Sequence, residues 1–197
     1  MNLDFKYCIS DPKKIARSLS AFSNSEGGKL LIGVRDNGSL AGVNSDEEFY
    51  MIDSAAKLYC NPEVKIHTIQ HTINGKSILE VDVPQSDARP VRAKDEDGRW
   101  KAYFRNKDKN ILADRVILQV WRRSKSSRGL LIRFDEKENL LISTLRENQK
   151  ITLPEFRKLA GIKSRVAERI ISDFILCGMI APDANEKGIF YRLNDGF

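Results

Sequence analysis

The hydrophobic positions in the first half of the chain follow two different periods, which predict helices and strands together. Between Pro12 and Asn24, apolar residues recur at helical spacing behind an Asp-Pro pair that suits the start of a helix. The apolar run at 29–34 is too short for a helix and predicts a buried strand, whereas 76–83 alternates as a half-buried strand does. We therefore expect an α+β fold, with a mixed or antiparallel sheet and flanking helices.

The last third of the chain predicts a separate small domain. Amphipathic segments at 136–148 and 153–160 are followed by a tight turn at 161–163, a helix that ends at Gly178, and a strand–turn–strand up to residue 193. Helix, helix, turn, helix and hairpin in this order are typical of a winged helix-turn-helix.

The stretch at 122–129 is polar and basic, without apolar periodicity, which is typical of a linker. We therefore place the two domains at 1–125 and 130–197. A helix predicted at 113–123 then belongs to the first domain.

The composition is that of an ordinary soluble globular protein. Hydrophobic residues make up 41% and charged residues 30%, and no apolar run approaches the roughly 18–20 residues that span a bilayer. The first residues lack the pattern of a secretory signal, so we expect a cytoplasmic protein without a membrane partner. The three cysteines lie far apart, and His67 and His71 have no further ligand at metal-binding spacing. We predict no metal site and no cofactor.

The net charge of +6 is concentrated in one stretch. Residues 91–128 contain 12 lysines and arginines against 5 acids, and the segments on either side are nearly balanced. A local excess of positive charge is the electrostatic footprint of a protein that binds a phosphate backbone. A solvated basic helix without a partner has a similar composition, so charge alone leaves both interpretations open.

A predicted hairpin, 91–94 paired with 100–105, supplies the most specific candidate interface. Because side chains alternate along a strand, residues of one parity share a face. The odd-numbered residues of 99–105 then form an outward cationic ridge, and the even-numbered ones, beginning with Trp100, face the core. Such a ridge suits a phosphate backbone and one stacked base. The predicted nucleic-acid-binding residues here are Arg92, Lys94, Arg99, Lys101, Tyr103 and Arg105.

In a winged helix-turn-helix, the helix after the tight turn enters the major groove of DNA. This helix and the wing predict four further contacts to base edges or phosphates: Lys163, Arg165, Arg169 and Lys187. Glu168 lies among them, and the domain as a whole is nearly neutral. Because nucleic-acid affinity normally requires phosphate neutralisation, a module for protein interaction or dimerisation is the alternative.

The segment from Ala21 to Val43, "AFSNSEGGKLLIGVRDNGSLAGV", combines a helix end, a diglycine, a buried strand and an acidic turn. Gly27 and Gly28 permit a tight turn of the backbone between helix and strand, and their amides are candidates for meeting a phosphate. Taken without further context, the tight turn is the favoured interpretation of the diglycine.

The same segment resembles the Schlafen AlbA-like DNA-binding domain family, whose members typically read "AFANTxGGxLxIGVxDxGxIxGV". The resemblance extends from "LDFK" at 3–6 to "RP" at 89–90 and "YFR" at 103–105. It implies nucleic-acid binding for roughly the first half of the chain. Family members also often carry a C-terminal winged helix.

Some Schlafen relatives are ribonucleases that hold divalent cations with three carboxylates, so the resemblance implies a second candidate function. The second and third family acids fall on Asp4 and Asp36, and the first falls five positions before Asp4, ahead of the first residue. Mg²⁺ or Mn²⁺ would be the cofactor of such a nuclease. Without the resemblance, Asp4 reads as a surface residue and Asp36 as a turn former. The sequence contains no "GxxxxGK[ST]" phosphate loop.

We therefore expect a non-enzymatic nucleic-acid-binding protein, a transcriptional regulator whose ligand is DNA. A metal-dependent nuclease acting on RNA or single-stranded DNA is the first alternative. The second is an assembly adaptor whose winged helix binds protein, which an exposed Leu118 would favour. A homo-oligomer is compatible with all three.

Overall fold

The computed structural model describes residues 2–43, 45–125, 130, 133–185 and 188–197. The chain divides into two compact units, Met1–Leu112 and Ala113–Phe197, which we call the first and the second unit. Both contain helices and strands, so the fold is α+β, as the sequence predicted. None of the helices in the described ranges is both long and apolar enough to cross a membrane.

The first unit contains two helices and eight strands among its described residues. They are β1 (Asn2–Lys6), α1 (Pro12–Asn24), β2 (Gly28–Ile32), α2 (Ser45–Leu58), β3 (Cys60–Asn61), β4 (His67–Ile73), β5 (Lys76–Val83), β6 (Arg92–Lys94), β7 (Trp100–Asn106) and β8 (Lys109–Leu112). The strands form two four-stranded sheets with the orders β1-β2-β5-β4 and β3-β6-β7-β8. The β1–β2 pair is parallel and the other strand pairs are antiparallel.

Helix α1 lies at the centre of the first unit. Asp11 caps it by accepting a hydrogen bond from the Lys13 amide at 2.8 Å, and a proline occupies its first turn, as the sequence predicted. Its apolar residues share one core with the inner faces of β2, β5, β6 and β7. The helix is thus covered on most sides, which is why serines and an asparagine are buried in it as well as apolar residues.

Two of these buried polar side chains bind the backbone of the second sheet. The Asn24 amide nitrogen donates to the carbonyls of Val91 and Tyr103, each at 2.8 Å, and its oxygen accepts from the Val91 amide at 2.8 Å. The Ser20 hydroxyl accepts from the Tyr103 amide at 3.2 Å. Because buried polar groups need partners, these bonds fix where β6 and β7 sit on the helix.

The second unit contains four helices and one hairpin among its described residues. They are α3 (Arg115–Arg123), α4 (Glu136–Asn148), α5 (Leu153–Leu159), α6 (Ser164–Leu176), β9 (Ile180–Asn185) and β10 (Gly188–Leu193). A capping box starts α5: the Thr152 hydroxyl accepts from the Glu155 amide, and the Glu155 carboxylate accepts from the Thr152 amide. Ile151 pairs with Tyr191 as an isolated bridge beside the hairpin. Helix, helix, turn, helix and hairpin follow one another in the predicted order, and the winged helix-turn-helix itself stays a prediction.

The division between the units lies after Leu112, whereas the sequence placed it between residues 125 and 130. Helix α3 belongs to the second unit because Val116 is part of that unit's core. Asp114 caps α3 by accepting from the Ile117 amide at 3.0 Å and also accepts from the Tyr191 hydroxyl at 2.5 Å. Burial and the neighbouring Asp114 raise the pKa of Tyr191, so its hydroxyl stays protonated and donates.

Candidate nucleic-acid interface

The hairpin β6–β7 turns the opposite face outward from the one that the sequence analysis predicted. Arg92 pairs with Ala102 and Lys94 pairs with Trp100, so these four share one face. Helix α1 covers the other face, where Tyr103 is only 8% exposed, whereas Trp100 is 42% exposed. The prediction that the odd-numbered residues of 99–105 face outward was wrong. It assumed that polar residues lie on the exposed face, whereas the buried face of β7 carries polar as well as apolar residues.

Arg105 was predicted to lie on the outward ridge, but its side chain is buried and bonds to other parts of the first unit. Its side chain is 2% exposed, and Nη2 lies 3.5 Å from Oδ1 of Asp4. Nη1 donates to Oδ1 of Asn110 at 2.8 Å, and Nε donates to the carbonyl of Lys107 at 3.1 Å. The guanidinium carbon lies 5.2 Å from the centre of the Phe22 ring. Arg105 therefore joins the two ends of the stretch that carries the family resemblance, 3–6 and 103–105, and is not available to an external ligand.

Tyr103 is also buried, and Lys101 is neutralised by an acid of the same hairpin. Arg17 of α1 lies over the Tyr103 ring at 5.5 Å. Nζ of Lys101 forms an ion pair of 2.6 Å with Asp95. Their hydrogen bond, and then the attraction between opposite charges, raises the pKa of Lys101, and the same hydrogen bond lowers the pKa of Asp95. Of the four predicted ridge residues, Arg99 is exposed, and Lys101 keeps a side chain that is 37% exposed but paired with Asp95.

The outward hairpin face, which we define as Arg92, Lys94, Trp100 and Phe104, carries the cations that remain available. Arg92 and Lys94 are partly exposed, and within the described ranges no carboxylate lies at ion-pair distance from either. Nζ of Lys94 lies 5.9 Å from the centre of the Trp100 ring. Phe104, half-buried, continues the apolar part of this face along β7. Two predicted binding residues thus lie together beside an exposed aromatic ring.

The positive charge of the stretch 91–128 is partly neutralised inside the protein. In the first unit, Lys101 and Arg105 bind Asp95 and Asp4. In the second unit, the exposed Arg115 lies 3.7 Å from Glu168, and Arg123 lies 2.5 Å from Asp173. The net charge of this stretch therefore overstates the charge that it presents to a ligand.

The diglycine turn has a structural role. The amide of Gly27 donates to the Phe22 carbonyl at 3.1 Å, and its own carbonyl accepts from the Asn2 side chain at 2.9 Å. Both glycines are buried, and Gly28 pairs with Asn2 of β1 and with Val83 of β5. The suggestion that both amides meet a phosphate is wrong for Gly27, whose amide is already bonded, and the tight turn is the better interpretation.

The two candidate nuclease acids lie in different surroundings. Asp4 bonds Lys6 at 2.9 Å and Arg105 at 3.5 Å, with a side chain 17% exposed. Asp36 is exposed in the turn after β2, where it lines an open cleft together with Lys6, Tyr7 and Arg35. Within the described residues, no group of three or more histidines, cysteines or carboxylates is placed to hold a metal ion. Asp4 is thus paired with the buried Arg105 and with the partly exposed Lys6, and it is not the free surface residue that its position suggested.

Helix α6 presents an exposed basic side in the second unit. Lys163 precedes the helix, and Arg165 and Arg169 are exposed on it, with Arg169 loosely paired to Asp173 at 3.8 Å. Glu168, which weakened the sequence argument, is 8% exposed and turned towards Arg115 of α3. Lys187, the predicted wing contact, lies outside the described residues.

A groove of about 890 Å³ runs between α6 and the start of α4. Arg165 and Arg169 line one side, and residues of both charges line the other: Arg133, Asp135, Glu136, Lys137 and Glu138. The α4 flank of the basic side of α6 therefore carries mixed charge. Leu118 of α3, whose exposure would favour an adaptor, is half-buried.

Comparison with known proteins locates the chain in a family. No curated protein matches the chain. Among solved structures, it is similar to the DIP2311 protein from Corynebacterium diphtheriae, at 16% identity and a TM-score of 0.47, over 67% of this chain and 29% of that one. It is also similar to the N-terminal domain of a RecG-related protein from Nitrosomonas europaea, at 21% identity and a TM-score of 0.40, over 58% of this chain and 84% of that one. The family model described as Schlafen, AlbA_2 matches residues 1–114, which is more than half of the chain and nearly coincides with the first unit. The chain therefore belongs to the Schlafen AlbA_2 family.

Proposed function

We propose that this protein binds nucleic acid without catalysing a reaction, through the outward hairpin face of the first unit. The observation that carries the proposal is the position of Arg92 and Lys94 on one sheet face, beside the exposed Trp100, without a described acid at ion-pair distance. Cations that are not neutralised by the protein release counterions from a phosphate backbone, which drives binding at low salt. Family membership supports the same function.

Replacing both cations of this face, Arg92→Ala with Lys94→Ala, is expected to weaken nucleic-acid binding at least about tenfold at ~50 mM salt. Because two phosphate contacts are lost, the slope of log affinity against log salt should fall by about 1.4–1.8. Fluorescence anisotropy of a labelled oligonucleotide over a salt series measures both quantities.

The matched control replaces Lys65 and Lys76, two exposed lysines near the other sheet, with alanine. It changes the net charge equally and should leave the slope within about 0.5 of the unmodified protein. Equal losses in the two double variants would mean that net charge, and not this face, governs binding. Failure of the unmodified protein to bind any DNA or RNA at ~50 mM salt would refute the proposed function.

We further propose that the second unit is a winged helix-turn-helix that reads duplex DNA, which would make the protein a transcriptional regulator. The order of its elements and the exposed Lys163, Arg165 and Arg169 at the start of α6 support this. Glu168 and Asp173 of α6 are paired with arginines of α3. Among the described residues, no acid then lies at ion-pair distance from Lys163 or Arg165, whereas Arg169 shares Asp173 at 3.8 Å. A dimer would place two such helices on half-sites about 34–36 Å apart.

Arg165→Ala is expected to lower discrimination between a selected duplex and a random duplex by about 5- to 150-fold, because a base contact carries about 1–3 kcal/mol of specificity. The duplex is first selected from a random pool by the unmodified protein, and affinities are compared by mobility shift. Arg146→Ala, an exposed arginine of α4, is the control and should leave discrimination unchanged. A duplex pool that yields no enriched sequence would count against sequence reading by α6, and light scattering of the same samples reports whether the protein is a homo-oligomer.

A further inference from the structure

The exposed indole of Trp100 is the least explained feature of the outward hairpin face. It is 42% exposed at the start of β7, although the unit has a core that accepts other aromatic side chains. Its contact with Nζ of Lys94 is 5.9 Å from the ring centre, which places a cation and an aromatic surface side by side. A ring of this kind stacks with a nucleobase, and the neighbouring cation then meets the adjoining phosphate.

Resting on the proposed function, we propose that the outward hairpin face binds single-stranded nucleic acid and stacks a base on Trp100. Bases in a duplex are paired and stacked on each other, so their faces are closed to the indole. Bases of a single strand are open, and stacking on an aromatic side chain tolerates any sequence.

The geometry around Trp100 favours a single strand over a duplex. Lys94 pairs with Trp100 at the end of the hairpin, where the sheet is two strands wide, because β3 pairs only with Arg92 and Ala93 and β8 only with Tyr103–Asn106. A two-stranded ribbon in the major groove of B-DNA meets the edges of the bases, which offer no open ring face to an indole. A single strand offers such a face, so it is the ligand that uses both Trp100 and Lys94.

The charges around Trp100 define the direction in which the strand lies. Arg92 and Lys94 are two residues apart on one face of β6, about 6.6 Å along the strand, so they can meet different phosphates. In the hairpin turn next to Lys94, the exposed Glu96 and Asp97 outnumber the exposed Arg99, so the turn repels a phosphate chain. The backbone of the bound strand therefore runs from Lys94 towards Arg92, away from the turn.

The test uses the full chain in a Trp121→Phe background, because the protein has two tryptophans and Trp121 is 7% exposed in the second unit. The probes are a thymidine 12-mer and the duplex of that strand with its adenosine complement. Saturation with the single strand should quench the Trp100 emission, whereas saturation with the duplex should change it little. Anisotropy of the labelled probes gives the two affinities.

Trp100→Ala should weaken single-strand binding about 5- to 150-fold, the equivalent of about 1–3 kcal/mol at 1.4 kcal/mol per tenfold. Duplex affinity should stay within about twofold, because the function proposed above assigns duplex binding to the second unit. Trp100→Phe keeps an aromatic ring and should restore most of the loss. Because the fluorescence readout needs no change at Trp100, it decides the matter even if a Trp100 variant folds poorly.

The outcomes separate this inference from the proposed function. If the single strand binds but leaves the Trp100 emission unchanged, or if Trp100→Ala weakens both probes equally, stacking on Trp100 is refuted while phosphate binding by Arg92 and Lys94 stands. If neither probe binds at ~50 mM salt, the proposed function itself fails.

Discussion

Replacing Arg105 with alanine is expected to lower the free energy of unfolding of the first unit by about 3 kcal/mol, near the lower end of the cost of breaking a buried ion pair. The variant removes bonds to Asn110 and to the Lys107 carbonyl, together with the guanidinium that lies over the Phe22 ring. Asp4 keeps its 2.9 Å bond to Lys6, which places the cost below that of a fully orphaned charge. Urea unfolding followed by circular dichroism measures the change.

Two control variants test whether the loss of stability in Arg105→Ala comes from the buried guanidinium and its bonds. Arg99→Ala removes an exposed arginine of the same hairpin and should change the free energy of unfolding by less than about 0.5 kcal/mol. Arg105→Lys should recover only part of the stability, because an ammonium cannot reproduce the planar set of donors. If Arg105→Ala were as stable as the unmodified protein and bound nucleic acid poorly, Arg105 would be a ligand contact, contrary to the burial described above.

Replacing Gly27 with alanine is expected to destabilise the first unit by about 2–5 kcal/mol, the sum of a backbone and a steric cost. Gly27 has a φ of +75°, a conformation that side chains other than glycine rarely adopt. A Cβ atom there would also lie 2.7 Å from the carbonyl oxygen of Val83 and 3.1 Å from the Gln85 amide nitrogen. Those atoms belong to the backbone, so they cannot move aside cheaply. Thermal and urea unfolding measure the loss.

Gly38→Ala separates the two costs. Gly38 has a similar φ of +80°, but a Cβ atom there would meet nothing within 4 Å. This variant should lose about 1–2 kcal/mol, the backbone part alone. Equal losses at Gly27 and Gly38 would show that the close approach of Val83 has no energetic consequence.

Both predictions assign the residues of the family pattern to the stability of the fold. Asn24, Gly27 and Arg105 bond or approach the backbone of neighbouring strands, and Asp4 is bonded to Arg105. The candidate ligand contacts, Arg92 and Lys94, lie on strand positions outside the diglycine segment. The pattern that identifies the family therefore identifies the fold of the first unit. It does not locate the surface of that unit that would bind a ligand.

Part of the candidate interface could be predicted from the sequence, and part could not. The hairpin, its cations and the alternation of its faces follow from local pattern, and β6 and β7 form it. The choice of face did not follow, because the prediction of an outward ridge required a tyrosine and three basic residues to avoid the core. In the structure Asn24 and Ser20 hold the hairpin with that face inward, and Arg105 is stabilised there by Asp4.

The boundary between the two units also could not be predicted from local sequence, because it depends on contacts between residues far apart in the chain. The basic stretch at 122–129 looks like a linker in composition, and composition is a local property. Which unit α3 joins is decided by Asp114 and Tyr191, 77 residues apart in the chain, and by the packing of Val116 in the second core. No pattern within 113–123 indicates that partner.

The sequence by itself determined the periodicity of the elements, the α+β class and the family, because each of these follows from patterns among residues that are close together in the chain. Only the tertiary structure decided which side of β7 is covered, which acids neutralise which cations, and where the first unit ends. Alternation along a strand defines two faces but not which of them the rest of the chain will bury. That choice depends on contacts between residues that are far apart in sequence.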